Sequence, residues 1–184
     1  MHSLSGSGSA IENLSESDDT RLLQLALENS NQTKDVNHAG TAMRFLIAYY
    51  ATGNSEVILT GSKRMKERPV GPLVDALREL GTGISYLEKE GYPPLKVNGG
   101  LKRGGNVHIS GGVSSQFISA LMMIGPVLDG GLHIFLEGEV VSTTYIDMTL
   151  EIMRQCGVMA FRKEREIGIP PTPVSYTHLR AHET

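Results

Sequence analysis

The sequence predicts a mixed α/β chain in which short strands alternate with amphipathic helices, and one helix–strand–helix–strand order occurs twice. Three observations carry this. Apolar residues fall at helical spacing in four segments. Short β-rich runs lie between Gly, Pro and charged turns. A glycine closes the helix stripe at matching places in both halves, as expected where a helix ends in a left-handed residue.

In chain order, residues 11–14 are expected to form a short strand, and Ser17 to cap a helix running to about Asn29. Residues 29–34 read as a polar loop. Met43, Leu46, Ile47 and Tyr50 predict a helix over 41–50, and residues 56–60 a strand ending at Gly61. Pro69 suits a first helical position. Val70, Leu73, Val74, Leu77 and Leu80 then form one stripe, closed by Gly81. Strands are expected at 84–87, 95–97 and 106–110. Phe117, Ala120, Leu121 and Ile124 predict a helix over 114–124, followed by a strand at 132–136. Ile146, Leu150, Met153 and Cys156 make the last stripe, closed by Gly157. Overlaying Gly81 on Gly157, an offset of 76 residues, sets Val70 on Ile146, Val74 on Leu150 and Leu77 on Met153. Chance is the competing explanation, since helices ending in Gly are common. The matched order of four elements favours a duplication.

At 184 residues and 40% hydrophobic content the chain can bury one domain-sized core. A net charge of −3 gives no general attraction to nucleic acid or to an anionic membrane, so neither partner is expected. Cys156 is the only cysteine, which rules out an internal disulfide and fits a reducing compartment. No apolar run reaches the ~18–20 residues of a membrane helix, and no signal segment follows Met1. The expected location is cytoplasmic.

The ends read differently from the middle. Ser5-Gly6-Ser7-Gly8 suits either a vector linker or the last turn of a helix that begins upstream. Residues 174–184 lack any periodicity and resemble a translated sequencing adaptor, so residues 1–173 are expected to be the folded part. His178 and His182, spaced i, i+4 in that tail, are set aside as a metal pair.

Candidate sites gather at predicted helix starts, where free N–H groups and the helix dipole favour an anion. Gly40 would allow close approach of a ligand, with Arg44 one turn on; a plain helix start with a solvated arginine fits equally well. Lys63, Arg64, Lys66 and Arg68 precede a helix start, where cations are unfavourable and a bound anion would compensate. An ordinary basic loop is the alternative. Gly111-Gly112 leading into Ser114, Ser115 and Gln116 suits a phosphate, although a simple Ser cap is the commoner meaning. Ser142 and Tyr145 occupy the repeat-equivalent start of the last helix. His38 lies beside Gly40, and Cys156 falls on an apolar stripe, which suits core better than nucleophile.

Six ordered segments resemble the 5-enolpyruvylshikimate-3-phosphate synthase family: Ala39-Gly40-Thr41-Ala42-Met43-Arg44, Leu59-Thr60-Gly61, the stretch from Arg64 through Pro69 to Leu77, Gly91-Tyr92-Pro93-Pro94-Leu95, Val113-Ser114-Ser115-Gln116-Phe117 and Tyr145-Ile146-Asp147. The likeness runs from about Ile11 to about Phe161. It implies an α/β (α+β) lobe of repeated βαβαββ units around a pseudo-threefold axis, here incomplete. It implies transfer of the enolpyruvyl group of phosphoenolpyruvate to the 5-hydroxyl of shikimate 3-phosphate, in chorismate and aromatic amino-acid biosynthesis. By the family pattern Gly40, Arg68 and Gln116 would contact phosphoenolpyruvate, with Arg44 and Lys66 near. Ser114, Ser115 and Ser142 would contact shikimate 3-phosphate, with Tyr145 beside them. No metal or organic cofactor and no catalytic acid–base residue is expected within this chain, and a monomeric parent is implied. Two departures stand out. The family has Asn, or a small residue in some branches, where this chain has His38. It has Ser-Lys/Arg-Pro-Tyr where this chain has Ser142-Thr143-Thr144-Tyr145. The family's Lys-Ser and Asn-Arg substrate segment would precede Met1. A second lobe with acid–base carboxylates and a lysine would follow Phe161. The chain is therefore expected to be a fragment without turnover of its own. A stand-alone binding module for a phosphorylated sugar acid is the alternative, and a purely structural repeat protein is a further one.

Overall fold

Alternating burial along the strands and one-sided stripes along the helices sort the chain into two units with the same plan. A computed structural model describes residues 13–141 and 143–172; the expected tail at 174–184 and Ser142 lie outside the described residues. One unit is Glu16–Leu101 and the other runs from Lys102 onward, with residues 13–15.

The first unit opens with α1 (Asp18–Glu28), whose start Ser17 caps by accepting from the Thr20 amide, with Asp18 and Asp19 in the first turn. Then come β1 (Thr33–Asp35), α2 (Gly40–Thr52), β2 (Val57–Thr60), a 3-10 turn (Met65–Glu67), α3 (Gly71–Glu79), β3 (Ile84–Tyr86) and β4 (Leu95–Val97). Its sheet has the order β1-β2-β4-β3, with β1 and β2 parallel and the other pairs antiparallel. Val57 and Leu59 of β2 and Leu95 and Val97 of β4 turn inward, the period-2 pattern of a one-sided sheet. Over them lies α2, buried at Ala42, Met43, Leu46, Ile47, Ala48 and Ala51. Its alanines keep the helix narrow enough to pack as a central element.

The second unit repeats the plan with β5 (Arg103–Ser110), α4 (Ser115–Ile124), β6 (Asp129–Glu137), α5 (Thr143–Gln155), β7 (Phe161–Lys163) and β8 (Glu166–Ile169). The sheet order is β5-β6-β8-β7, again with one parallel pair followed by two antiparallel ones. The duplication therefore extends to sheet topology: each unit is a βαβαββ element. Gly81 and Gly157 both follow their helices at positive φ, +97° and +81°, as the C-terminal stops they were expected to be.

Several boundaries move. The expected strand at 11–14 is not seen at Asn13 and Leu14, and residues 11 and 12 lie outside the described residues. Part of the expected polar loop at 29–34 is β1. Pro69 lies ahead of α3, and the proline in its first turn is Pro72. The basic residues 63–68 accordingly occupy a loop and 3-10 turn rather than a helical first turn. Strands β7 and β8 carried no sequence signal.

Candidate anion-binding sites at the helix starts

In each unit the parallel strand pair delivers two connections to the same end of the sheet. Asp35 of β1 sits opposite Thr60 of β2, and the connections that follow are joined through Ser62 N–H to the Asn37 carbonyl at 2.9 Å. In the second unit Ser110 sits opposite Glu137, and Val141 N–H donates to the Gly111 carbonyl at 3.1 Å. The carboxyl ends of parallel strands, where helix N-termini also gather, are the usual ligand side of such sheets.

The helix starts at these ends share a deficiency that α1 lacks. Neither α2, α3 nor α4 has a side-chain cap, and none of α2 to α5 has an acidic residue in its first turn. These helix starts lack the side-chain cap and first-turn carboxylates that α1 supplies from its own sequence. A negatively charged ligand would meet no competing carboxylate there.

The first unit adds two guanidinium groups. Arg44 is 7% exposed and donates from Nη1 to the Gly40 carbonyl at 2.8 Å, curling back over the start of its own helix. Arg68 reaches the same place from the segment after β2. A methyl group on Gly40 would lie 2.6 Å from Arg68 Cζ and 2.9 Å from Arg44 Nη1, so the absence of a side chain lets both arginines converge. Burial, and then the like charge of Arg68, push the Arg44 pKa below its ordinary value. Two cations held together at a positive helix end repel, and an anion bound between them would remove that repulsion. Arg44 is thus buried against the start of its own helix rather than a solvated charge.

Lys66 takes a different path from Arg68. Its ammonium pairs with Glu88, Nζ to Oε1 at 2.6 Å, so this cation is locally neutralised. Lys63 and Arg64 are exposed. His38 is about half exposed, with Nε2 3.6 Å from the Asp18 carboxylate.

The second unit offers hydroxyls and amides rather than cations. Ser114 holds the N-cap position of α4, makes no side-chain capping bond there and is exposed. Ser115 is 7% exposed at the first helical position, and Gln116 is half-buried beside it. Tyr145, 61% exposed in the first turn of α5, is tied in by a hydroxyl relay that sequence reasoning missed. Ser119 Oγ and Thr149 Oγ1 are 2.7 Å apart, and Thr149 donates to the Tyr145 carbonyl at 2.8 Å. The i, i+4 spacing of Tyr145 and Thr149 was the only available clue. Cys156 is buried with its thiol pKa pushed up by burial, the behaviour of a core residue. Among the described residues no cluster of His, Cys, Asp or Glu could hold a metal, and no helix is long and apolar enough to cross a membrane.

A protein-family model described as EPSP synthase (3-phosphoshikimate 1-carboxyvinyltransferase) matches residues 2–180. The chain belongs to the EPSP synthase family. Curated relatives named 3-phosphoshikimate 1-carboxyvinyltransferase include one from Bacteroides fragilis (strain YCH46). It is 45% identical over 174 residues, 94% of this chain and 42% of the relative. One from Sulfurovum sp. (strain NBC37-1) is 54% identical over 123 residues, 67% of this chain and 29% of its own length. A solved EPSP synthase from Acinetobacter baumannii matches with a TM-score of 0.76 at 17% identity, covering 97% of this chain and 46% of that one. That likeness speaks for the EPSP synthase fold. The chain spans less than half the length of each of these EPSP synthase relatives.

Proposed function

We propose that the chain is the substrate-binding part of a 3-phosphoshikimate 1-carboxyvinyltransferase. Gly40 and Arg68 of the first unit contact phosphoenolpyruvate, Gln116 keeps its assignment to the same ligand through the resemblance alone, and Ser114 and Ser115 of the second unit contact shikimate 3-phosphate. The convergence of Arg44 and Arg68 over Gly40, at the uncapped start of a buried helix, carries this reading. Phosphoenolpyruvate presents a phosphate and a carboxylate, and planar guanidinium forks pair with both groups. Lys66 stands at the edge of the niche, its charge shared with Glu88. Ser114 and Ser115, at the start of α4, donate hydroxyls to the phosphate of shikimate 3-phosphate, with Tyr145 alongside. Ser142 keeps the same assignment through the resemblance alone. In the reaction the enolpyruvyl methylene is protonated, the 5-hydroxyl attacks, and phosphate leaves a tetrahedral intermediate. The residues of this chain bind and orient the two anions.

Calorimetric titration of the chain with each substrate tests the reading. Measurable phosphoenolpyruvate binding is expected, weakened about tenfold to a hundredfold in Arg68→Ala, the scale of a lost charge-assisted hydrogen bond. Equal affinity in the variant would remove the assignment. Binding of shikimate 3-phosphate that survives Arg68→Ala but falls in Ser115→Ala would place the second ligand in the second unit.

A further inference from the structure

Arg68 is exposed and sits on a short turn, yet its guanidinium has to stay above Gly40 to serve the niche. The turn is held internally by Lys66 N–H to the Ser62 carbonyl at 3.1 Å, Glu67 N–H to the Arg64 carbonyl at 3.3 Å, Arg68 N–H to the Met65 carbonyl at 3.0 Å and Met65 N–H to Ser62 Oγ at 3.4 Å, with Met65 as its one buried side chain. Further bracing comes from residues 87–94, the connection between β3 and β4. Glu88 grips Lys66, two residues before Arg68, at 2.6 Å. The Gly91 carbonyl accepts from Val70 N–H, two residues after Arg68, at 2.9 Å. The connection is itself pinned: Leu87 N–H donates to the Pro94 carbonyl at 2.9 Å, and Glu90 pairs with Arg78 of α3 at 3.2 Å.

The geometry points to Glu88 as a positioning residue for the phosphoenolpyruvate site: through Lys66 it sets where Arg68 presents its guanidinium. This rests on the anion-site reading above and extends it to a residue that touches no ligand. Two physical effects act together. Bracketing Arg68 on both sides removes backbone freedom from the segment that carries it, so less is lost on binding. Pairing with Lys66 also withdraws that ammonium from Arg44 and Arg68, leaving the forked groups rather than a point charge to select the ligand. An exposed pair of this kind adds little to global stability, so its removal should register locally.

The test compares the chain with Glu88→Gln, Lys66→Met and the charge-swapped double variant Lys66→Glu/Glu88→Lys. Amide hydrogen exchange at Arg68 and the NMR signal of its guanidinium are read without ligand, and phosphoenolpyruvate affinity is read by titration. Exchange at Arg68 should quicken about tenfold in both single variants while amides within α3 hold their rates, a local opening rather than unfolding. The guanidinium signal should shift, and affinity should fall about twofold to fivefold, the scale of one exposed ion pair. The charge swap should restore both. Unchanged Arg68 exchange and guanidinium signal in Glu88→Gln and Lys66→Met would overturn the proposal, as would a swap no better than the singles. Should the original chain fail to bind phosphoenolpyruvate at all, the site assignment falls, while exchange and guanidinium signals still decide whether Glu88 positions Arg68.

Discussion

At the level of single residues, Gly40 makes a demand separable from folding. The atoms that a side chain there would strike are the ends of two flexible arginines, so Gly40→Ala can be absorbed by moving them aside. Helix propensity even favours alanine over glycine. Gly40→Ala is therefore expected to keep its thermal stability and to lose phosphoenolpyruvate affinity about threefold to tenfold as the guanidinium groups part. A melt and a titration on the same sample check it, and a large drop in stability would contradict the geometry. Tyr86 supports a second expectation. Its hydroxyl is buried with no hydrogen-bond partner among the described residues. Burial first, then the Asp75 and Glu90 carboxylates, push its pKa up to about 12, against the opposing Arg78. The folded state thus keeps a proton that the unfolded chain releases near pH 10, and stability falls as pH rises from about 10 to about 12. Tyr86→Phe should flatten that part of the stability profile; a profile unchanged by the substitution would count against it. Gly40, Arg44 and Arg68 stood out in the sequence as small or basic residues near expected helix starts, and the structure brings the three together although Arg68 follows a 3-10 turn rather than opening a helix. The partner of Lys66 lies 22 residues away across a folded connection, and no local pattern announces such a pair.

Among the elements, the helices were legible and the short strands less so, for physical reasons. Helices α2 to α5 each bury a stripe long enough to show its period, and Gly81 and Gly157 mark two of their ends. Thr33, Lys34 and Asp35 form β1 with only the middle residue buried, and its lysine gives no apolar alternation. Phe161, Arg162 and Lys163 of β7 are edge residues paired only with β8, and Gly168 interrupts the β8 pattern. These strands exist because β2, β6 and β8 offer partners, a tertiary effect that no short window contains. The repeat read from the sequence covered the helices, the strand between them and the closing glycines, and stopped short of β7 and β8. The uncapped start of α4 allows a prediction in which stability and binding move in opposite directions. Ser114→Asp would add both a cap and a charge suited to the dipole, stabilising α4 by roughly 0.5–1 kcal/mol. The same carboxylate would repel the phosphate of shikimate 3-phosphate and lower affinity at least about tenfold. Parallel changes of both quantities in the same direction would mean that this helix start is structural.

For the molecule as a whole, the question is which part of the reaction this length of chain can perform. Enolpyruvyl transfer needs a proton delivered to the methylene carbon and another removed from the attacking hydroxyl. The titratable groups placed near the first helix start are Arg44, Arg68, Lys66, Glu88, His38, Asp18 and Asp35, whose carboxylate accepts from Asn37 N–H at 2.7 Å. Guanidinium groups hold their protons too firmly to trade them. Lys66 and Glu88 face each other, as do His38 and Asp18. Near α4 and α5 the available groups are Ser114, Ser115, Gln116 and Tyr145, suited to hydrogen bonding. The chain also spans 42% of its Bacteroides relative. We therefore expect binding without turnover: no phosphate released from phosphoenolpyruvate and shikimate 3-phosphate by the purified chain. Mixing in a separately produced polypeptide that carries the remaining length of a relative should restore release only if it supplies the proton-transfer groups. Arg68→Ala in this chain should then abolish the restored activity, whereas Arg68→Lys should leave a fraction, because charge survives where the fork is lost. Phosphate release by this chain alone would show that its own side chains complete the acid–base machinery, and the paired carboxylates Glu88 and Asp18 would be the first to substitute.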